Sequence, residues 1–393
     1  MITNINKAYI YFKKGILFTK IIEIFIGPYF LGLFYFFTLK NNKRIKLQIN
    51  VKKNKLSDEV LCRRIFKSFK KMKNDQKKNS FNKPSKQWQT HLKNDFKELD
   101  ESFRFDDFKK FHKFLNNFGN HDKFLGIEMQ IYLKKFNRNI FLRKYLVHRV
   151  FKKQYDLWNF HNSPKKPSSS LKTPRFGNQI GANIDNNFVN LGSFANEIFS
   201  SNLNELLKSN TKSHIAELGA GYGLLAFHLL KKKKNFCYID FDIPEVLCLA
   251  AYYLIKSFPK KKSVLYGEKK FTKKNIFNSQ LIFLPYYEIQ KLTKNSIDLF
   301  INTCSLGEMD KATVKQYCKF INKSSNFFFH MNHDVYRNKF SKNKSGFLSN
   351  EYPIGKNFTL TSKYLDIFHF VYLDGNIHFE HDIFACLYKK NFN

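Results

Sequence analysis

IAELGAGYGLLAFHLL, Ile215 to Leu230, is the stretch on which the reading of the fold depends. A short apolar run ends in Glu217, glycines follow at 219, 221 and 223, and a helix-like apolar run opens behind them. Glycine accepts positive φ and lets a ligand approach the backbone where a Cβ would collide. In an open α/β sheet the first turn after the first strand is where adenosine cofactors bind. A dinucleotide fingerprint wants G-x-G-x-x-G, which sets a diphosphate on the helix N-terminus. Here the third glycine comes one residue early and a carboxylate precedes the first. The spacing predicts a cofactor with an amino-acid moiety and no diphosphate, and Glu217 suits the cationic end of S-adenosylmethionine. A plain strand–turn–helix is the competing reading.

Working outward, FCYIDFD ends in Asp242, nineteen positions after Gly223. A carboxylate there can accept hydrogen bonds from both ribose hydroxyls. Asp240, two residues earlier on the same strand face, competes for that role. Pro244 and Glu245 mark a helix start, for which Asp242 is also a candidate cap. Further on, SIDLFINTCSLGEM (Ser296 to Met309) delivers Asn302, Thr303, Ser305 and Glu308 to the carboxyl end of a strand, where open sheets bind ligands. Strand-like and helix-like runs alternate from 214 to 331, the pattern of a parallel sheet, and 383–388 reads as a late antiparallel strand at or near the edge. The expected fold is α/β, a seven-stranded Rossmann-like core with a mainly helical N-terminal region.

AELGAGYGLLAFHLL, DIPEVLCLAAYYL and LFINTCSLGEMD, in this order and spacing, resemble the bacterial sugar O-methyltransferases, a class I, S-adenosylmethionine-dependent family often encoded among surface-polysaccharide genes. The resemblance spans about Arg175 to Lys390. It implies that Glu217, Gly219, Gly221, Gly223 and Asp242 hold S-adenosylmethionine. Asn302, Ser305 and Glu308 then face the active-site mouth, Asn302 towards the cofactor and Ser305, with Asn332 across from it, towards the substrate. The implied reaction methylates a hydroxyl of a sugar or glycan precursor, with nucleotide- and lipid-linked forms included. A hydroxyl loses its proton as the bond forms, so a general base is needed, and His333, Asp334 and Glu308 are the candidates. His330 reads as a core histidine. Asp310 and Asp334 are of the type that suits Mg²⁺, but no metal is expected.

The chain has 68 Lys and Arg against 31 Asp and Glu, a formal charge of +37. Only nine of the basic residues are arginine, whereas phosphate recognition draws on Arg forks. Composition bias explains most of the excess, no specific nucleic acid is expected, and acidic glycans, nucleotide-linked substrates or anionic lipid are the partners such a field favours. Cys62, Cys237, Cys248, Cys304, Cys318 and Cys386 show no metal-ligand spacing and suit a reducing cytoplasm. The run IIEIFIGPYFLGLFYFFTL (Ile21 to Leu39) reads either as a segment in or on a membrane or as a buried helical hairpin, so the expected location is cytoplasmic, with or without peripheral contact at the inner membrane.

The expected divisions are 1–50 apolar, 51–87 basic and mobile, 88–160 helical, 161–173 linker, and 174–393 catalytic. Phe105, Phe108, Phe111 and Phe114 recur every third residue and read as helix core. Two other functions remain open. An RNA methyltransferase is one, although no N/D-P-P-Y motif follows the fourth strand and Cys304 alone is weak support for a cytosine mechanism. A non-catalytic membrane-associated scaffold is the other, and the intact glycines speak against it.

Overall fold

The computed structural model describes residues 44–49, 56–79, 81, 84–121, 125, 140–162, 166–207, 212–232, 235–272, 278–335, 339–341, 344–368 and 383–392. A short strand β1 (Ile45–Gln48) precedes a long helix α1 (Glu59–Lys78). Helices α2 (Lys86–Asn94), α3 (Lys97–Arg104), α4 (Phe108–Leu115) and α5 (Ile140–His161) follow. The hairpin β2 (Gly181–Ile184) and β3 (Asn187–Val189) joins β1 in a three-stranded sheet, and α6 (Ser193–Glu205) leads into the main sheet.

There the chain alternates: β4 (Ser213–Leu218), α7 (Leu224–Lys232), β5 (Phe236–Asp242), α8 (Pro244–Ser257), β6 (Ser263–Leu265), β7 (Leu281–Pro285), β8 (Ile297–Thr303), α9 (Lys311–Ser324) and β9 (Ser325–His333). A small ribbon, β10 (Lys339–Ser341) with β11 (Lys344–Ser345), separates these from β12 (Phe358–Leu365) and β13 (Ile383–Lys390).

The main sheet holds eight strands among the described residues, in the order β12-β13-β9-β8-β4-β5-β7-β6. The six from β9 to β6 run parallel, and β13 is antiparallel to both its neighbours. This is a Rossmann-like α/β fold. The central strands read as unbroken apolar runs because both faces of a parallel sheet are covered. The two strands not anticipated carry no such signal: β6 is three residues long, and β12 is exposed along most of its length. The sheet therefore exceeds the seven strands expected.

Chain order places the ligand crevice. From β4 the chain lays β5, β6 and β7 to one side, then crosses back to place β8 and β9 on the other. Such a reversal opens a crevice at the carboxyl ends of the strands, here between β4 and β8.

Residues alternate between two apolar layers. Ile215, Tyr238, Leu299 and Ile301 face α1 and the helices α4 to α8, while Ala216, Ile239, Phe241 and Phe300 pack with Val314, Cys318 and Ile321 of α9.

Three features of the N-terminal half bear on the expected divisions. Within the stretch 51–87, α1 occupies Glu59–Lys78, so its described part is mostly helical. Cys62, Ile65, Phe66, Phe69 and Met72 recur at helical spacing and are buried against α8 and α4, but the Lys-rich outer face masks that period in the composition. Ion pairs fix α1 in place: Arg64 to Glu268 at 2.6 and 2.8 Å, and Lys73 to Glu245 at 2.6 Å.

Within 161–173 the described residues make contacts of their own. Leu171 is buried in a 3-10 turn, and Lys231 Nζ donates to the carbonyl oxygens of Ser169, Ser170 and Lys172 at 2.8, 3.0 and 3.2 Å. One apolar cluster runs from α1 through α8 to β13, so the helical region and the α/β region share a core.

Phe111 and Phe114 are buried as expected, but Phe105 is 77% exposed. It ends α3, and the left-handed Asp106 (φ 51°) resets the helical phase before α4. The apolar run 21–39 lies outside the described residues. Among the described residues no helix is long and apolar enough to cross a membrane.

Candidate active site

The glycine turn has the conformation its sequence called for. Gly219, Gly221 and Gly223 have φ of 79°, 61° and 86°, the left-handed region that L side chains avoid. Gly219 N–H donates to Phe241 O at 2.9 Å and ties the turn to β5. A Cβ on Gly219 would lie 2.6 Å from Ser305 Cβ, and one on Gly223 would lie 2.9 Å from Leu254 Cδ1. The first glycine therefore permits close approach across the crevice, and the third permits close packing of α7 on α8.

Above the turn lies a cleft of about 900 Å³, counting the space at its open mouth. Leu218, Gly219, Gly221 and Asp242 form one wall, and Thr303, Cys304, Ser305 and Glu308 form the other. Pro84, Ser85 and Trp88 come from the N-terminal half and lie over it.

Asp242 ends β5 and lines this cleft. Its carboxylate accepts from the N–H of Ile243 at 2.7 Å and from that of Gly221. Burial holds its pKa well above the ordinary carboxylate range against those two donors, and the charges of Glu217 and Glu245 push the same way. Asp242 is not the N-cap itself: that position is Ile243, whose side chain makes no cap bond, and Asp242 bonds the N–H of Ile243 from one residue before it.

Asp240 does not reach the cleft. It is fully buried opposite Glu217 in the β4–β5 register, and neither of its carboxylate oxygens has a partner among the described residues. Burial, then the charges of Asp242 and Glu217, push its pKa far up. Glu217 sits beneath the turn, accepts from Tyr238 Oη at 2.6 Å, and is pushed up to about 7 by burial. It does not line the cleft.

The block after β8 is a shaped loop. Asn302 is buried, and its Nδ2 donates to Leu218 O at 2.8 Å while its Oδ1 accepts from Leu306 N–H at 3.2 Å. Asn332 Nδ2 donates to Asn302 Oδ1 at 2.9 Å, and Asn332 Oδ1 accepts from Gly307 N–H at 3.1 Å. The two asparagines thus stand behind the wall and hold the loop, while Ser305 and Glu308 face the cleft. Cys304 reaches φ 55° there, a strained conformation for a residue with a Cβ, of the sort found at functional sites.

Of the three candidate bases, Glu308 alone lines the cleft. Its Oε2 accepts from Trp88 Nε1 at 2.6 Å. His333 is the last residue of β9, opposite Ile383, and does not line the cleft. Asp334 accepts from Ser349 Oγ at 2.6 Å and from Asn350 N–H at 3.1 Å and pairs with Lys363, and these partners outweigh its burial and hold its pKa low. His330 is fully buried among the rings of Phe328, Tyr352 and Tyr388, and burial pushes its pKa down to about 3. Asp310 caps α9, accepting from Thr313 N–H at 2.9 Å. Among the described residues no group of three or more His, Cys, Asp or Glu is placed to hold a metal ion.

Trp88, Pro84, Ser85, Tyr286, Thr313 and Tyr317 line the cleft without having been singled out from the sequence. Tyr286, directly after β7, was open to the strand-end argument. Trp88 was not, because it meets Glu308 across 220 residues of chain.

No protein-family model matches the chain, and no curated protein matches it in sequence. Among solved structures it is similar to the mitomycin 7-O-methyltransferase MmcR, at 8% identity over 51% of this chain and 55% of that one, with a TM-score of 0.33. It is also similar to a Haemonchus contortus phosphoethanolamine N-methyltransferase 2 in complex with phosphomonomethylethanolamine and S-adenosylhomocysteine (8% identity, 51% and 53% covered, TM-score 0.34). A third is a TehB-like, S-adenosylmethionine-dependent methyltransferase from Corynebacterium glutamicum (9% identity, 50% and 88% covered, TM-score 0.32). The match spans about half the length of the mitomycin enzyme.

Proposed function

We propose that the chain is an S-adenosylmethionine-dependent methyltransferase acting on a hydroxyl of a sugar or glycan precursor. The observation that carries this reading is a glycine turn of positive φ opening on a cleft whose neighbouring strand ends in a carboxylate. The residues fit such a ligand. Gly219 and Gly221 line the cleft with bare backbone that a ligand can approach closely, and Asp242 presents an acceptor beside them for a ribose diol. When bound, S-adenosylmethionine supplies an electrophilic methyl group on a sulfonium.

The rest of the chemistry falls to this chain's own residues. Glu308 is the carboxylate on the facing wall and receives the proton of the acceptor hydroxyl. Trp88 orients it, because the indole N–H donates to one of its oxygens. Pro84, Ser85 and Trp88 shield the cleft from water, which favours alignment of a weak nucleophile. Asn302 and Asn332 set the loop that carries Glu308.

The sugar as acceptor is supported by the likeness of the three sequence blocks to the sugar O-methyltransferases. Calorimetry tests the cofactor: S-adenosylmethionine should bind, and no heat of binding at millimolar ligand ends the proposal. Mass spectrometry of cell-surface glycans with and without the protein tests the acceptor, with a loss of one methylene mass expected in its absence.

A further inference from the structure

Helix α9 carries Lys311, Lys315, Lys319 and Lys323, one every fourth residue, with no Asp or Glu between them. All four are exposed. Lys311 lies over the Phe347 ring at 5.1 Å, and none of the four ammonium groups is paired with a carboxylate among the described residues. Side chains at this spacing stack about 6 Å apart, so the stripe is about 18 Å long. Like charges so placed work against the helix.

Several basic residues of α1 are managed differently. On α1, Arg63 pairs with Glu59, Arg64 with Glu268, Lys70 with Asp106 and Lys73 with Glu245. What sets the row apart is its regular spacing and the absence of any acidic residue between its members.

The row also has a direction. Val314, Cys318 and Ile321 of α9 are buried in the core, while Thr313 and Tyr317 line the cleft. Helix α9 starts three residues after Glu308, so the stripe begins at the cleft mouth and runs away from it down the side of the molecule. We propose that the stripe binds an anionic glycan, a sugar polymer bearing carboxylates at intervals, and feeds its end to the cleft.

The exposed neighbours on the helix are Ala312 and Gln316. No arginine stands among them, and the nearby rings of Phe320 and Phe347 are only partly exposed, whereas single-stranded nucleic acid is held by stacking on aromatics and Arg. Lysines are point charges that suit separated carboxylates, and an amide such as that of Gln316 suits sugar hydroxyls. As a substrate track the stripe rests on the transferase reading of the cleft; as a binding surface it does not.

The test uses the full chain and fluorescently labelled polygalacturonate at low salt, with dextran and poly(U) as competitors. The wild type should bind polygalacturonate, and K315Q/K319Q/K323Q should weaken it on the order of tenfold. A charge-matched variant, K260Q/K262Q/K269Q, removes three exposed lysines around β6 and should leave binding unchanged. Equal weakening by both variants, preference for poly(U), or no binding by the wild type overturns the proposal. Calorimetry with S-adenosylmethionine on the stripe variant should give wild-type affinity. A wild type that holds polygalacturonate through the stripe but takes no S-adenosylmethionine leaves the surface standing and overturns the transferase reading alone.

Discussion

Asp242 is the residue at which fold and chemistry meet. Burial holds its pKa well above the ordinary carboxylate range. Two hydroxyls donating to the carboxylate would favour its charged form, so ligand binding should expel the carboxyl proton near neutrality. Affinity for S-adenosylmethionine should therefore rise between about pH 6 and about pH 9, with proton release visible as a buffer-dependent heat. Asp242→Ala should cost about 1.5–3 kcal/mol of binding free energy, and Asp242→Asn should flatten the pH profile. A flat wild-type profile would remove Asp242 from the ligand. Asp240 makes a separate prediction about stability. Its folded pKa lies above its unfolded one, so the folded chain holds the extra proton, and its contribution is lost as pH rises from the ordinary carboxylate range through neutrality. Asp240→Asn keeps the shape and removes the ionisation. Its melting temperature should fall less than that of the wild type between about pH 6 and about pH 9, and parallel curves would show that Asp240 ionises without cost.

Among the elements, α1 shows most clearly how composition can hide structure. Phe69 is fully buried, with Phe111 at 5.5 Å and Phe103 at 6.2 Å between ring centroids. Phe69→Ala should cost about 3–5 kcal/mol, and because α1 shares one apolar cluster with α8, cofactor binding should be lost in the same transition. Two thermal transitions, or unchanged cofactor binding above the first, would mean that α1 is a detachable appendage. The elements around the site were legible because apolar runs and helix-start residues mark them locally: β5 ends at Asp242 and α8 opens at Pro244, as the pattern had it. What escaped depended on contacts between distant residues. Asn302 and Asn332 lie near the ends of β8 and β9, yet alternation gives the face of a strand and not the hydrogen bonds that turn its side chains into loop supports. Trp88 gave no local sign of the cleft. Helix α1 was masked because its outward face carries so many lysines that averaging over the stretch erases the buried period, and β12 had no apolar period to find.

At the scale of the whole molecule the governing quantity is the excess of 68 basic over 31 acidic residues. A net charge this far from zero repels itself and works against the compact state. The compensating ion pairs are mostly exposed, and exposed pairs contribute about 0–1 kcal/mol each. Salt acts on the two unequally. At about 0.01 M the Debye length is about 30 Å, so charges across the molecule repel one another, and at about 0.1 M it shrinks to about 10 Å. Contacts as close as the 2.6 Å between Lys73 and Glu245, which is nearly buried, keep most of their attraction over that change. Sodium chloride should therefore raise the melting temperature across this range and then level off, whereas binding of a polyanion to α9 should weaken over the same range. The opposite signs separate the two effects in one titration. A melting temperature that fell with salt would mean that pairs such as Arg64–Glu268 outweigh the global repulsion, and that the basic surface carries its charge without strain on the fold.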